Sequence, residues 1–482
     1  MALADTTILQ AIGALWSARW YRDSDTWSAW FAFLRVLFNL PLEPADHRIC
    51  AQCTARDELP EEPVREAWLI CGRRAGKSFV LATIAVYLAI FRDWSRYVVP
   101  GERPTIKVIA VNREQAHVIY HYIRALLIEV PALEELVHWM DKDTIELTTG
   151  VVIQVATMSY RGIRGFAVCA ALCDEIAFWR SDESANPDTE VLNALRPAMA
   201  TVPGSLLLCA SSPYSQRGAM YQTYRRYWGK PGRVLIWKAP TLTMNPTVDR
   251  RVIEEAYDDD PAYAAAEYGA EFRTDIESFV SREVIEDLVV PDRHELPPVS
   301  GTVYSAFVDP SGGSADSMTL AIGHFDGPMQ DHCVLDAIRE VRPPFSPQSV
   351  VAEFAETLRS YRVTTVRGDR YGGEWPAERF REHGIDYRPA GKSKSDIYRE
   401  FLPIANSGRC ELLDHPRLVT QLCGLERRTA RGGRDSIDHM QGGHDDVANA
   451  VCGVFAERPP PGVFITKQMV EAARRLRAPR RW

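Results

Sequence analysis

A chain of 482 residues is too long for a single hydrophobic core, so two or more domains are expected. With 46% apolar and 25% charged residues it has the composition of an ordinary globular protein. A net charge of −8 excludes a surface that coats nucleic acid throughout, while leaving room for a local basic groove.

The first long apolar stretch, "WSAWFAFLRVLFNLPL", is interrupted by Arg35 and ended by Pro41. It is too short to cross a bilayer, and no charged-then-apolar leader precedes it, so a cytoplasmic protein without membrane contact is expected. Ten cysteines are scattered, with Cys71, Cys169, Cys173 and Cys209 inside apolar runs. That placement fits reduced core thiols and not a disulfide framework. Cys50 and Cys53 make a lone C-x-x-C near His47, with no second pair at zinc-finger spacing.

Residues 1–60 read as helical, because Trp16, Trp20, Trp27, Trp30, Phe31, Leu34 and Phe38 recur at helical spacing. This stripe is assigned to packing. Over 61–245, strand-like runs alternate with helices. The strands are "AWLIC", "TIKVIAV", "VVIQVAT", "AVCAALC", "GSLLLCA" and "RVLIWKA", and the helices fall near 77–90, 114–129 and 188–200. Continuously apolar strands with helical crossovers predict a mostly parallel sheet covered on both faces. A charged helical lid or linker follows over 246–299, ending in "PDRHELPPVSG". Residues 300–458 then give three strands ("TVYSAFVD", "MTLAIGHF", "HCVLDAI") with no helix between them, followed by β-α alternation. That is the element order of a ribonuclease-H-like domain. A basic tail, 459–482, closes the sequence; its arginines, and the local excess at Arg427, Arg428, Arg431 and Arg434, are candidates for a solvated face or an anionic partner.

Two segments carry phosphate chemistry in the first region. "CGRRAGKS" lies between a strand and a helix and matches a phosphate loop, except that Cys71 stands at the first glycine. Gly72, Arg73, Arg74, Ala75 and Gly76 would cradle ATP phosphates with backbone N–H groups. Lys77 would neutralise the β- and γ-phosphates, and Ser78 would hold Mg²⁺. "ALCDEIAFW" delivers Asp174 to the Mg²⁺ water shell and Glu175 to the attacking water. Arg73 is placed to serve as an arginine finger in cis, with Arg74 as a substitute or a grip on a carboxylate. Ser211 and Ser212, in "CASSPYS", end a strand near the same site and would relay loss of the γ-phosphate.

In the second region Asp309, Asp369 and Asp445, with Asp446 beside it, fall at strand ends or helix starts. Together they would hold two Mg²⁺ or Mn²⁺ ions for phosphodiester cleavage. Asp316 and His444 are candidate additional ligands or water-orienting groups. Lys392 and Lys394, opening a helix, are candidate contacts to a DNA phosphate strand.

The ordered set "GRRAGKS", "SYRGIRGF", "ALCDEIAFW", "SSP", "FVDPSGG", "RGD" and "GGHDDVANA" resembles the large terminase subunit of tailed bacteriophages, over about residues 60–458. In that family the phosphate loop often lacks its first glycine and carries an arginine at the Arg73 position. The resemblance implies an ATP-driven motor that moves double-stranded DNA into a procapsid and a nuclease that cuts concatemers. It implies docking on the portal protein, contact with the small terminase subunit and a homo-oligomeric ring. It also implies a place in the host cytoplasm and absence from the mature virion. Lys77, Ser78, Asp174, Glu175 and Arg73 would serve the motor; Asp309, Asp369 and Asp445 the nuclease. The middle nuclease carboxylate, glutamate in some members, is Asp369 here. The N-terminal helices are the expected contact for the small subunit and the arginine tail for the portal. Competing readings are a helicase with a fused nuclease and a catalytically dead ATP-binding scaffold. The first would carry a second ATPase-like lobe, and the second would not need Glu175 and Asp309.

Overall fold

The computed structural model describes residues 6–158, 165–179, 187–314, 316–327, 331–369, 374–429, 435–440 and 443–456. The motif residues 159–164, Arg431, Arg434 and the basic tail lie outside the described residues. The chain forms two compact units, 1–277 and 278–482. The division therefore falls within the charged segment and upstream of the proline-rich stretch.

The apolar runs of the first unit become an eight-stranded sheet. Its order is Val137–Met140, Thr144–Leu147, Val152–Thr157, Pro104–Ala110, Ala167–Asp174, Leu206–Ser211, Glu66–Cys71 and Val234–Ala239. The six strands read from sequence all pair in parallel, in the register Leu69 to Ala210 and Cys173 to Cys209 at the centre. A hairpin that the sequence did not announce, Val137–Met140 with Thr144–Leu147, adds the antiparallel edge. Because Glu66–Cys71, Ala167–Asp174 and Leu206–Ser211 are neighbours, their carboxyl ends open side by side, where open α/β sheets bind ligands. Helix Lys77–Phe91 leaves the first of these strands and is buried along almost its whole length. The N-terminal helices pack into the same core: Trp16, Trp30 and Phe33 are fully buried there. None of the ten cysteines is in a disulfide, and nine are buried.

The second unit is built on a seven-stranded sheet. Five neighbouring strands run His332–Val341, Met318–Asp326, Tyr304–Asp309, Thr365–Gly368 and, at one edge, Asp386–Pro389. The first three are antiparallel neighbours, and Thr365–Gly368 and Asp386–Pro389 continue in parallel. This is the ribonuclease-H-like order that the sequence led one to expect. Cys410–Leu413 and the short Val289–Val290 extend the other edge. Leu425–Thr429 and Asp435–His439, unforeseen, form an antiparallel hairpin. Helix Asp446–Ala456 lies buried against Tyr304–Asp309 because Gly453 permits it: a Cβ there would sit 2.3 Å from the Phe307 ring. Among the described residues no helix is long and apolar enough to cross a membrane.

Candidate functional sites

In the first unit the chain leaves strand Glu66–Cys71 through a tight loop with Arg74 at φ 64° and Gly76 at φ 98°. The left-handed turn at Gly76 is the conformation that glycine adopts without strain. The Lys77 ammonium, only 5% exposed, donates to Cys71 O (3.1 Å), Gly72 O (3.2 Å) and Ser212 Oγ (3.1 Å). It also lies 3.4 Å from Glu175 Oε1. Ser78 donates to Asp174 Oδ2 at 2.7 Å, while Asp174 Oδ1 is buried without a partner. Glu175 follows in a left-handed backbone, φ 50°. Its Oε2 accepts from Ser211 Oγ (2.9 Å) and from the Ser212 N–H (3.1 Å). The two loops, the acidic pair and the Ser-Ser strand end thus meet in one place.

Burial, with Glu175 alongside, pushes the Asp174 carboxyl up to about 7, against the pull of the Ser78 hydroxyl and Lys77. Since the folded value exceeds the unfolded one, ionisation of Asp174 costs folding free energy, increasingly from about pH 4 and fully above pH 7. Asp174→Asn is therefore expected to raise the melting temperature of the nucleotide-free protein at pH 8 by more than at pH 5. Thermal denaturation across that range checks it.

Contacts to the phosphate loop from four residues were invisible in the sequence. The Trp30 indole N–H donates to Ala75 O at 2.8 Å, so the helical segment assigned only to packing also braces the loop. Thr241 Oγ1 donates to Arg73 O and Asn245 Nδ2 to Arg74 O, each at 2.8 Å. The Arg73 N–H donates to Glu267 O, and its guanidinium lies 3.3 Å from Glu267 Oε2. As a cis finger Arg73 must first leave Glu267, a partner that nothing in the motif foretold. Gly72 is fixed by the same wall, because a Cβ there would lie 2.2 Å from Thr241 Oγ1 and 2.8 Å from Tyr268 O. The second atom is backbone and cannot swing away. Gly72→Ala is expected to cost about 1–3 kcal/mol of stability, measured by urea denaturation, and to weaken nucleotide binding.

In the second unit Asp309 ends strand Tyr304–Asp309, and Asp369 follows Thr365–Gly368 with its N–H on Val308 O at 3.2 Å. Gly368 makes room for this register; a Cβ there would meet Tyr387 Oη at 2.3 Å. The same hydroxyl donates to Asp369 O at 2.7 Å. The Asn449 amide bridges the carboxylates, with Nδ2 3.0 Å from Asp309 Oδ2 and 3.4 Å from Asp369 Oδ2. Burial, then Asp446, Asp445 and Asp369, push the Asp309 carboxyl well above the ordinary range, and the Asn449 amide opposes them.

Asp445 is engaged differently. Lys394 Nζ lies 2.8 Å from its Oδ1 and 2.7 Å from its Oδ2, and Tyr398 donates to Oδ2 at 2.7 Å. Lys394 also reaches Asp438 Oδ1 at 3.2 Å. Lys392 bonds Glu400 and Ala456 O. Both lysines expected to meet DNA thus have their ammonium groups engaged within the unit, Lys392 on Glu400 and Ala456 O and Lys394 on the carboxylates Asp445 and Asp438. Asp446 accepts from the Ser317 N–H at 3.3 Å, and His444 pairs with Asp316 at 3.3 Å. Among the described residues, the set of three potential ligand atoms within 4.8 Å of one another is Asp438, His439 and Asp445. Asp309 and Asp369 stand outside that set, joined to each other through Asn449. Asp445, held by Lys394 and Tyr398, still lies near enough to Asp309 to raise its carboxyl, as Asp369 does.

No protein-family model matches the chain, and no curated protein matches it. Solved structures do. The crystal structure of the HK97 bacteriophage large terminase is similar at 16% identity, covering 87% of this chain and 95% of that one, with a TM-score of 0.38. The large terminase nuclease from thermophilic phage G20c is similar at 16% identity, covering 38% of this chain and 99% of that one, TM-score 0.33. Its magnesium-bound form gives 16%, 37%, 97% and 0.33 respectively. Superpositions this loose assign no residue of this chain a role.

Proposed function

We propose that the chain is a DNA-packaging motor of the large-terminase type, an ATPase that drives double-stranded DNA into a procapsid joined to a metal-dependent endonuclease that cuts it. The observation that carries this reading is the meeting of Lys77 and Ser78, which open a helix, with Asp174 and Glu175 at a strand end in one unit, while a second unit of ribonuclease-H-like topology sets Asp309 and Asp369 at the ends of neighbouring strands.

In the motor, Gly72 to Gly76 and Lys77 bind the phosphates, and Ser78 with Asp174 would hold Mg²⁺. The orphaned Asp174 Oδ1 fits such a ligand. Magnesium, when bound, draws charge from the phosphate oxygens. Glu175, oriented by Ser211 and the Ser212 N–H, receives the proton of the attacking water. Because the same contacts tie Glu175 to the Ser-Ser strand end, a change in its position passes directly to Leu206–Ser211. In the nuclease, Asp309 and Asp369 would hold the cation, with Asp445 and Asp446 as further carboxylates; the buried, unbonded Asn449 Oδ1 fits a cation there. Divalent ions, when bound, make water nucleophilic and stabilise the leaving oxygen. Tyr387 and Asn449 keep the two aspartates in place. A motor must move any sequence, so its grip on DNA is on phosphates. Its partners are the portal, the small subunit and further copies of itself in a ring, in the host cytoplasm. Purified chain should hydrolyse ATP faster with DNA present and should nick plasmid with Mg²⁺ or Mn²⁺. Strand separation without nicking would favour a helicase instead.

A further inference from the structure

Asn449 occupies a place for which simple packing gives no reason. It is 1% exposed, in the first turn of helix Asp446–Ala456, and its N–H bonds Asp445 O at 2.7 Å. Gly453, one turn on, seats this helix so close to Phe307 that the amide is pressed between the ends of two strands. There Nδ2 serves both Asp309 and Asp369, while Oδ1 is buried with no partner. An apolar residue of similar shape would have avoided that orphaned acceptor.

We infer that Asn449 is a ligand of the divalent cation held by Asp309 and Asp369, its amide turning by half a rotation to present Oδ1. The inference rests on the nuclease reading above. Amide nitrogen and oxygen exchange places in such a turn with no change in the space filled. The turn gives up the two Nδ2 donations and carries the NH₂ into the buried position that Oδ1 held, and the attraction of a cation between the carboxylates for Oδ1 has to offset both. Without a cation the amide must keep its donor toward the anions; with one, its oxygen is the attracted end. Hard cations take amide oxygens alongside carboxylates in mixed ligand sets. The set Asp438, His439 and Asp445 differs in that the Lys394 ammonium already lies against two of its members.

The test is Mn²⁺ binding to the full chain without nucleotide, followed by electron paramagnetic resonance, beside plasmid nicking. Asn449→Leu is expected to weaken Mn²⁺ binding on the order of tenfold or more. Asn449→Asp, which keeps an oxygen but cannot donate, is expected to bind Mn²⁺ at least as tightly as wild type and to retain nicking. Wild-type affinity in Asn449→Leu overturns the inference. So does loss of binding in Asn449→Asp, which would make the amide a donor only; that comparison decides the matter even where the leucine variant does not fold. Asp309→Ala separates the two levels: if it binds Mn²⁺ like wild type, the nuclease reading itself fails. If it alone loses the ion, only the role of Asn449 does.

Discussion

Glu175→Gln is expected to bind ATP as wild type does and to hydrolyse it on the order of a thousandfold more slowly. The substitution preserves the shape that Ser211 Oγ and the Ser212 N–H hold, at 2.9 and 3.1 Å, and removes only the capacity to take a proton. Loss of the charge also frees Lys77 from its contact with Glu175 Oε1, so affinity for nucleotide should not fall. Rapid-quench hydrolysis and a fluorescent-nucleotide titration measure the two quantities separately. Turnover near the wild-type rate would remove Glu175 from the chemistry. Weak binding with proportionate turnover would make it a structural residue of the loop.

The second large effect lies in the other unit. Asp309→Asn is expected to lower metal-dependent nicking by at least about a hundredfold and to leave ATP hydrolysis unchanged. Stability should hold or rise, because burial and three neighbouring carboxylates already disfavour the charged form of Asp309. A residue that mattered only to folding would show the opposite pair of results, with stability and both activities falling together. The reciprocal variant, Lys77→Ala, should keep nicking and lose ATP hydrolysis.

Much of this could be read from the chain because the informative residues are local. Strands such as Ala167–Asp174 and Leu206–Ser211 are apolar without interruption, since both faces of the sheet are covered, and that pattern survives in one dimension. The hairpin Val137–Leu147 does not, because its first strand is largely exposed and carries His138 and Trp139 on an edge. Leu425–Thr429 and Asp435–His439 hide among charges that read as a solvated face. The acidic residues announced themselves by position at strand ends, whereas their partners did not. Asn449 sits one turn after Asp445 in "DDVANA", a spacing that could have drawn notice; Lys394, Tyr398, Trp30 and Glu267 reach their sites only through tertiary packing. That Lys394 stands against Asp445, 51 residues on, is not visible in the spacing of "GKSKSD".

The most direct test of two separate phosphorus centres is a crystal of the full chain grown with ADP and Mn²⁺, with the manganese located by anomalous scattering. The reading requires ADP phosphates on the Gly72–Ser78 loop and manganese between Asp309 and Asp369. Manganese confined to Asp438, His439 and Asp445, or nucleotide bound away from Lys77, would contradict it.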